Sequence, residues 1–439
     1  MCIIPGRVER HSSKRRWISE RVCLIVICRR QRKRVCFLVT ALAWVGALQA
    51  AHTTPVTGCE ANTPDPAIHC GTTPTATFDN RGRLWLAFEH RAFVYVTYSD
   101  DKGSTFSPAV RVNDVAEEIY TNGENRPKIA IGTRNEIYVS WTKVTDGRFS
   151  GDIRFSRSLD AGKSFDPVMT INDDGLITSH RFESLVVDRN GTIFLVWIDK
   201  RDQQAALARG DAVSGAAIYY ATSTDTGATF ASNRKAVDSS CECCRIAIAA
   251  NAGAGAAIFY RALYADNIRD HGLVVLGRKR LLSPLQRATF DNWQIDACPH
   301  HGPAMITAGD GGLHLAWFTG GSARTGIYYG HYDLKAGHMS DIKPMTSAAG
   351  ASHPYLAENG GRLLLAWKEF DGEKTHVMLA VSLDDGRSWQ DAISVAATSD
   401  ASDHPFMLVD GENAYLSWQT SQEGFQLMPV PATAGKDNR

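Results

Sequence analysis

The sequence predicts an all-β fold, a β-propeller of seven blades, and three observations predict it. First, one pattern recurs: a Gly or Asn turn leads into an alternating apolar strand that closes on an aromatic residue, as in GRLWLAF, NEIYVSW, GTIFLVW and GRLLLAW. The closing aromatics are Phe88, Trp141, Trp197, Tyr260, Trp317, Trp367 and Trp418, spaced 50 to 63 residues apart, close to the length of a four-stranded blade. Second, Ser-x-Asp-x-Gly-x-Ser/Thr-aromatic begins at Ser99, Ser158, Ser223 and Ser382. Such a segment is a hairpin turn, in which Asp caps backbone N–H groups, Gly takes a conformation other residues resist, and the aromatic packs beneath. Third, helical periodicity is almost absent. Six blades with an irregular extra hairpin is the alternative count.

Taken in order, residues 1–51 come first as a leader. RRQRKR at 29–34 precedes the apolar run VCFLVTALAWVGALQA, the order of a secretory signal peptide, with cleavage expected near Ala50. An uncleaved anchor is the other reading of this run, which is short for a membrane span. No later segment is apolar for long enough to cross a bilayer, so a secreted or periplasmic protein is expected. Residues 52–430 carry the repeats, and 431–439 form a polar tail. The last hairpin, HPFMLVDGENAYLSW, is followed only by GFQLMPV. Ring closure therefore calls for an N-terminal strand around residues 53–66 on the last blade, which removes its exposed edge. The 47 basic and 47 acidic residues balance, so no bulk field draws the chain to nucleic acid.

The segments just ahead of each closing strand carry the chemistry. Blade one offers His69 and Cys70, blade two Glu124 and Arg126, and blade three His180, Arg181 and Glu183. Blade four offers Cys241, Cys243, Cys244 and Arg245; blade five Cys298, His300 and His301; blade six His353; blade seven Asp403 and His404. A propeller maps these equivalent positions onto a ring at one end of the central channel. Arg126, Arg181 and Arg245 form a cationic wall suited to a carboxylate or phosphate, unless acidic neighbours such as Glu124, Glu183 and Asp291 neutralise it. Trp293 is expected to flank the same opening or to pack in the core.

Cys243, Cys244, Cys298, His300, His301, His353 and His404 form a second half-ring, a ligand set for copper or zinc. Disulfides compete with that reading. Six cysteines follow the leader, and an oxidising compartment favours bridging them: Cys59 to Cys70, and two bridges among Cys241, Cys243, Cys244 and Cys298. Disulfides are the preferred expectation, with the CECC cluster holding Arg245 toward the channel.

The four turn motifs at blade spacing resemble the Asp-box repeats of the sialidase (neuraminidase) superfamily, a likeness covering residues 70–430. The resemblance implies a propeller whose Asp boxes lie on the blade periphery and, in the family's enzymes, an arginine triad against the carboxylate of sialic acid. It also implies a tyrosine nucleophile paired with a glutamate, and an aspartate acid/base. Here Tyr260 and Tyr264 stand as nucleophile candidates, Glu124 and Glu183 as their partners and Asp266 as the aspartate. Arg126, Arg181, Arg245, Arg261, His301, His353 and His404 stand as ligand contacts. The family's Phe/Tyr-Arg-Ile-Pro motif is missing, with only NRPKI and CRIAI near it in form. The leading expectation is a propeller binding a small acidic glycan or related anion at the channel mouth, with exo-sialidase-type hydrolysis as its chemistry. A non-enzymatic copper- or zinc-binding propeller is the alternative, and an inert disulfide-tied scaffold the third reading.

Overall fold

Seven antiparallel sheets follow one another along the chain, six of four strands and the last of three, each a simple up-and-down meander. The computed structural model describes residues 66–212, 215–252 and 255–431. The leader, Cys59, the expected closing strand apart from Pro66, and the polar tail apart from Pro431 lie outside the described residues. The first strands of the sheets are Thr72–Phe78, Lys128–Ile131, His180–Val187, Ala247–Ala252, Ala304–Thr307, Ala351–Asn359 and Phe406–Asp410. Each touches the first strand of the next sheet, and Phe406–Asp410 touches Thr72–Phe78. These strands therefore line one closed ring. Seven blades, not six, are present.

The closing aromatics all fall on the second strand of their blade. There Trp141, Trp197, Trp317, Trp367 and Trp418 are fully buried. Burying an indole leaves its N–H needing an acceptor, and each has one. Trp141 donates to Glu117 at 3.0 Å, Trp197 to Asp199 at 2.8 Å, Trp317 to Asp291 at 2.8 Å, Trp367 to Glu369 at 3.0 Å, and Trp418 to the Asp403 carbonyl at 3.0 Å. Glu117, Asp291 and Asp403 lie in loops that lead into channel strands, so three of the indoles pin such loops, whereas Asp199 and Glu369 belong to the indole's own strand. Among the described residues one α-helix occurs, Arg201–Arg209, an insertion in blade three ended by Gly210 at φ 79°.

Each repeated turn starts on the last residue of a third strand, well out from the channel strands. Their bonding is the same. In the turn from Ser158, its Oγ donates to Asp160 at 2.7 Å and accepts the Gly162 N–H at 2.9 Å, while Asp160 accepts the Ser164 N–H and Oγ at 3.0 and 2.6 Å. Ser99/Asp101, Ser223/Asp225 and Ser382/Asp384 repeat it.

At the channel end the strands are not regular. The register shifts between Thr72 and Thr75, between Arg181 and Ser184, and between Ser352 and Tyr355. Thr73, Phe182 and His353 sit in these bulges at φ 45°, 59° and 55°, a left-handed conformation that costs non-glycine residues energy. A bulge re-aims side chains at the end of a strand, and here it does so for Arg181, Glu183 and His353.

Candidate functional site

Glu124 is the centre of the mouth. It leads into the blade-two channel strand and is 3 % exposed. Its Oε2 accepts the Arg245 backbone N–H at 2.6 Å, its Oε1 accepts Arg245 Nη1 at 2.9 Å, and Arg245 Nη2 donates to the Pro354 carbonyl at 2.7 Å. Arg245 therefore reaches from blade four to blades two and six. A Cβ at Gly302 would collide with Arg245 Cγ and Glu124 Oε2, and one at Gly123 with the His404 ring, so both glycines keep this cluster closed.

Three imidazoles border the pair. His353 Nε2 and His404 Nδ1 each lie 3.6 Å from Glu124 Oε1, beyond hydrogen-bond reach. Their rings stack with centroids 3.6 Å apart, and His301 stands 5.2 Å from His353. Burial holds His353 and His404 well below the ordinary histidine range, with nearby Arg245 and, for His404, His353 and Arg126 adding to the effect. His301 is pushed down to about 3, by burial first and then by His353. All three are neutral at pH 7. His353 shares Nε2 with the His300 carbonyl at 2.9 Å, so this nitrogen carries the proton and Nδ1 the lone pair. The Nδ1 atoms of His301, His353 and His404 are buried without a hydrogen-bond partner.

Around this centre the basic groups differ in what they face. Arg126 pairs with Asp403, donates to the Pro74 carbonyl at 3.1 Å, and lies over Phe406 with 4.7 Å to the ring centroid. Arg261 donates to the carbonyls of Arg269, His301 and Phe318 at 2.9, 3.0 and 2.9 Å and covers Trp293. It braces the CPHH loop. Arg181 stands apart: among the described residues it forms no ion pair, and its Nε is buried without a partner. Its guanidinium lies 4.2 Å from the Tyr120 ring centroid, 4.8 Å from Phe182 and 5.5 Å from Phe149, and Phe149 is 55 % exposed. Of the expected wall, Arg245 is matched by buried Glu124 and Arg126 by half-buried Asp403, the neutralisation the sequence left open, and Arg181 alone of the three forms no ion pair among the described residues.

Residues the sequence reading passed over complete the site. Lys128 donates to the Arg126 carbonyl at 2.7 Å, and burial lowers it to about 8 despite the neighbouring Glu183 carboxylate. Burial raises Glu183 in turn, while its Oε2 accepts Thr142 Oγ1 at 2.6 Å. Lys128 opens the channel strand two residues after Arg126, a position the repeat pattern marks.

Several expected members lie elsewhere. Tyr260 is buried in the core between blades three and four, and Tyr264 packs against that same core. Burial pushes Tyr264 up to about 12 and Tyr260 further. Neither is hydrogen-bonded to Glu124 or Glu183, because the strand carrying Tyr260 turns it between blades. Asp266 lies in a short 3-10 turn at φ 59°. His69 is exposed, and His300 contributes its carbonyl.

The metal half-ring divides. Glu124, His353 and His404 bring ligand atoms within 4.8 Å of one another, and Cys241, Cys243 and Cys244 do so separately. Cys298 is exposed and joins neither set. Cys70 is disulfide-bonded. The two bridges expected of the other four cysteines are not formed: all four are free, with Cys241 Sγ at 3.6 Å from Cys243 Sγ and 3.8 Å from Cys244 Sγ. Those separations far exceed a disulfide of about 2.05 Å.

No family model and no curated relative matches the chain in sequence. Solved structures share its fold. Polysaccharide lyase Uly1 superposes at TM-score 0.50 with 10 % identity, over 83 % of this chain and 89 % of its own. An ulvan lyase of family PL25 bound to -[GlcA(1-4)Rha3S]- gives 0.49 with 11 % identity, over 84 % and 93 %. An α-L-arabinanase of Penicillium chrysogenum complexed with arabinobiose gives 0.43 with 14 %, over 72 % and 94 %. Identities this low speak to the fold alone.

Proposed function

We propose that the protein binds an acidic sugar at the mouth of its channel, with Arg181 taking the carboxylate. The observation that carries this reading is the Arg181 guanidinium, which has no carboxylate partner among the described residues and lies over the Tyr120 ring beside the exposed Phe149. A guanidinium without a carboxylate of its own is a bidentate receptor for one, and an exposed aromatic face suits the apolar side of a pyranose. The uncharged imidazoles of His353 and His404 stack beside Glu124, whose two oxygens are taken by Arg245. Hydrolysis of the sialidase kind needs a tyrosine at a carboxylate, and Tyr260 and Tyr264 do not meet that need.

Calorimetric titration with glucuronate- and N-acetylneuraminate-terminated oligosaccharides, against their neutral counterparts, tests it. Binding should require the carboxylate and weaken about 10- to 100-fold in Arg181→Ala, the loss of a charge-assisted hydrogen-bonded pair. Equal binding of neutral and acidic sugars, or none of either, sinks the reading. Release of 4-methylumbelliferone from its sialoside would restore the hydrolytic one.

A further inference from the structure

We propose that Cys241, Cys243 and Cys244 form a three-thiolate site for a single Cu(I) ion. It is separate in its ligands from the proposed sugar site but near enough for Arg181 to interact electrostatically with Cys243. Sulfurs that share one ion at about 2.3 Å stand about 3.8 Å apart at tetrahedral angles and about 4.0 Å apart in a trigonal plane. The observed Sγ separations of 3.6 and 3.8 Å, with the third pair within 4.8 Å, fit one central ion. The three buried thiols converge without bonding to one another.

The surroundings select the metal. The cluster is buried against Phe182, Val237, Ile246 and Ala262, a dry and polarisable setting that favours a soft cation over a hard one. Among the described residues no His, Asp, Glu or further Cys joins the three sulfurs within that distance. Zinc in a structural site demands four ligands, so a three-coordinate thiolate site points to Cu(I). Three thiolates around one monovalent cation leave net negative charge, and Arg269 Nη1 stands 3.2 Å from Cys241 Sγ to offset it. Arg269 is held in turn by the Ile295 carbonyl at 3.1 Å.

The loop is fixed from outside as well. Glu242, the one residue between the first two cysteines, turns away to pair with Lys200 and to accept Gln203 Nε2 at 2.8 Å, beside and within the inserted helix Arg201–Arg209. Anchoring the intervening side chain points its neighbours inward and gives the single helix of the described residues a purpose. A surface cleft lined by Ser240, Glu242, Arg269 and the exposed Cys298 lies beside the loop. Binding releases the thiol protons to solvent, so uptake strengthens as pH rises.

The test is anaerobic titration of the reduced full chain with Cu(I) in competition with bathocuproine disulfonate, followed by copper K-edge absorption. One ion per chain with sulfur-only ligation at about 2.3 Å is expected, retained in Cys298→Ser. Arg269→Gln should weaken binding about tenfold, as removal of an outer-shell partner does. Cys241→Ser/Cys243→Ser/Cys244→Ser should abolish it, and the absorption data on unaltered protein decide the matter where that variant does not fold. Nitrogen or oxygen ligation, failure to compete with the chelator, or preference for Zn(II) over Cu(I) overturns the proposal. Copper titration of the sugar-free chain and sugar titration of the copper-free chain are read separately, which distinguishes failure here from failure of the sugar reading.

Discussion

His353, His404 and His301 carry no charge at neutral pH because the folded chain buries them among Arg245, Arg126 and one another. His271, fully buried beneath blade four, is held down in the same way, by burial and then by Arg261. In the unfolded chain each regains a pKa near 6.5, so below that value the unfolded state binds more protons and stability falls. Each histidine contributes a slope of up to about 1.4 kcal/mol per pH unit. The melting temperature should therefore drop steadily from pH 7 to pH 4, and His404→Gln should flatten that slope. A flat profile over this interval would mean that these rings charge freely in the folded state. The histidines were legible in the sequence because one repeat position held them. The partners of the arginines were not, since whether a guanidinium meets Asp403, Glu124 or only Tyr120 depends on how neighbouring blades are rotated. Nothing along the chain encodes that locally.

At the scale of elements, the repeated turn and the bulged channel strand make opposite demands on sequence. The turn is written in full by residues spaced two apart, Ser, Asp, Gly and Ser/Thr, and its bonds match what those residue types imply. Although burial opposes it, hydrogen bonds from Ser164 and Ser158 hold Asp160 down at about 2. The folded value lies below the unfolded one, so its stabilisation is full above about pH 4 and is lost as pH falls through 2. Asp160→Ala should lower the melting temperature by a few degrees at pH 7 and by less at pH 2, with ligand binding unaffected, as calorimetry and titration can show. Loss of ligand binding would bring these peripheral aspartates into the site after all. The bulges at Phe182 and His353 are not legible, because a register shift is a relation between two strands. Cysteine pairing failed for a related reason: composition and compartment favour bridges, but only the loop path decides whether two sulfurs reach bonding distance.

For the whole molecule, closure is the central event. Blade seven meets blade one through Leu86, Leu408, Phe78, Tyr415, Phe106 and Phe425. Lys102 pairs with Asp410 across the seam, and Gln419 donates to the Gly71 carbonyl at 2.9 Å. Leu86 is fully buried there, and Leu86→Ala should cost about 2–5 kcal/mol. Denaturant unfolding would show that loss, with the midpoint moving and the slope unchanged; a variant as stable as its parent would mean the ring does not depend on this seam. The blade count could be read from the chain because every blade repeats its aromatic, whereas the seam could not, being made once. Glu124, Arg245, His353 and His404 come from blades two, four, six and seven. A nascent chain therefore lacks this cluster until its final hairpin docks, although Arg181 is in place once blade three forms, and on the proposed reading full sugar affinity becomes a gauge of finished assembly.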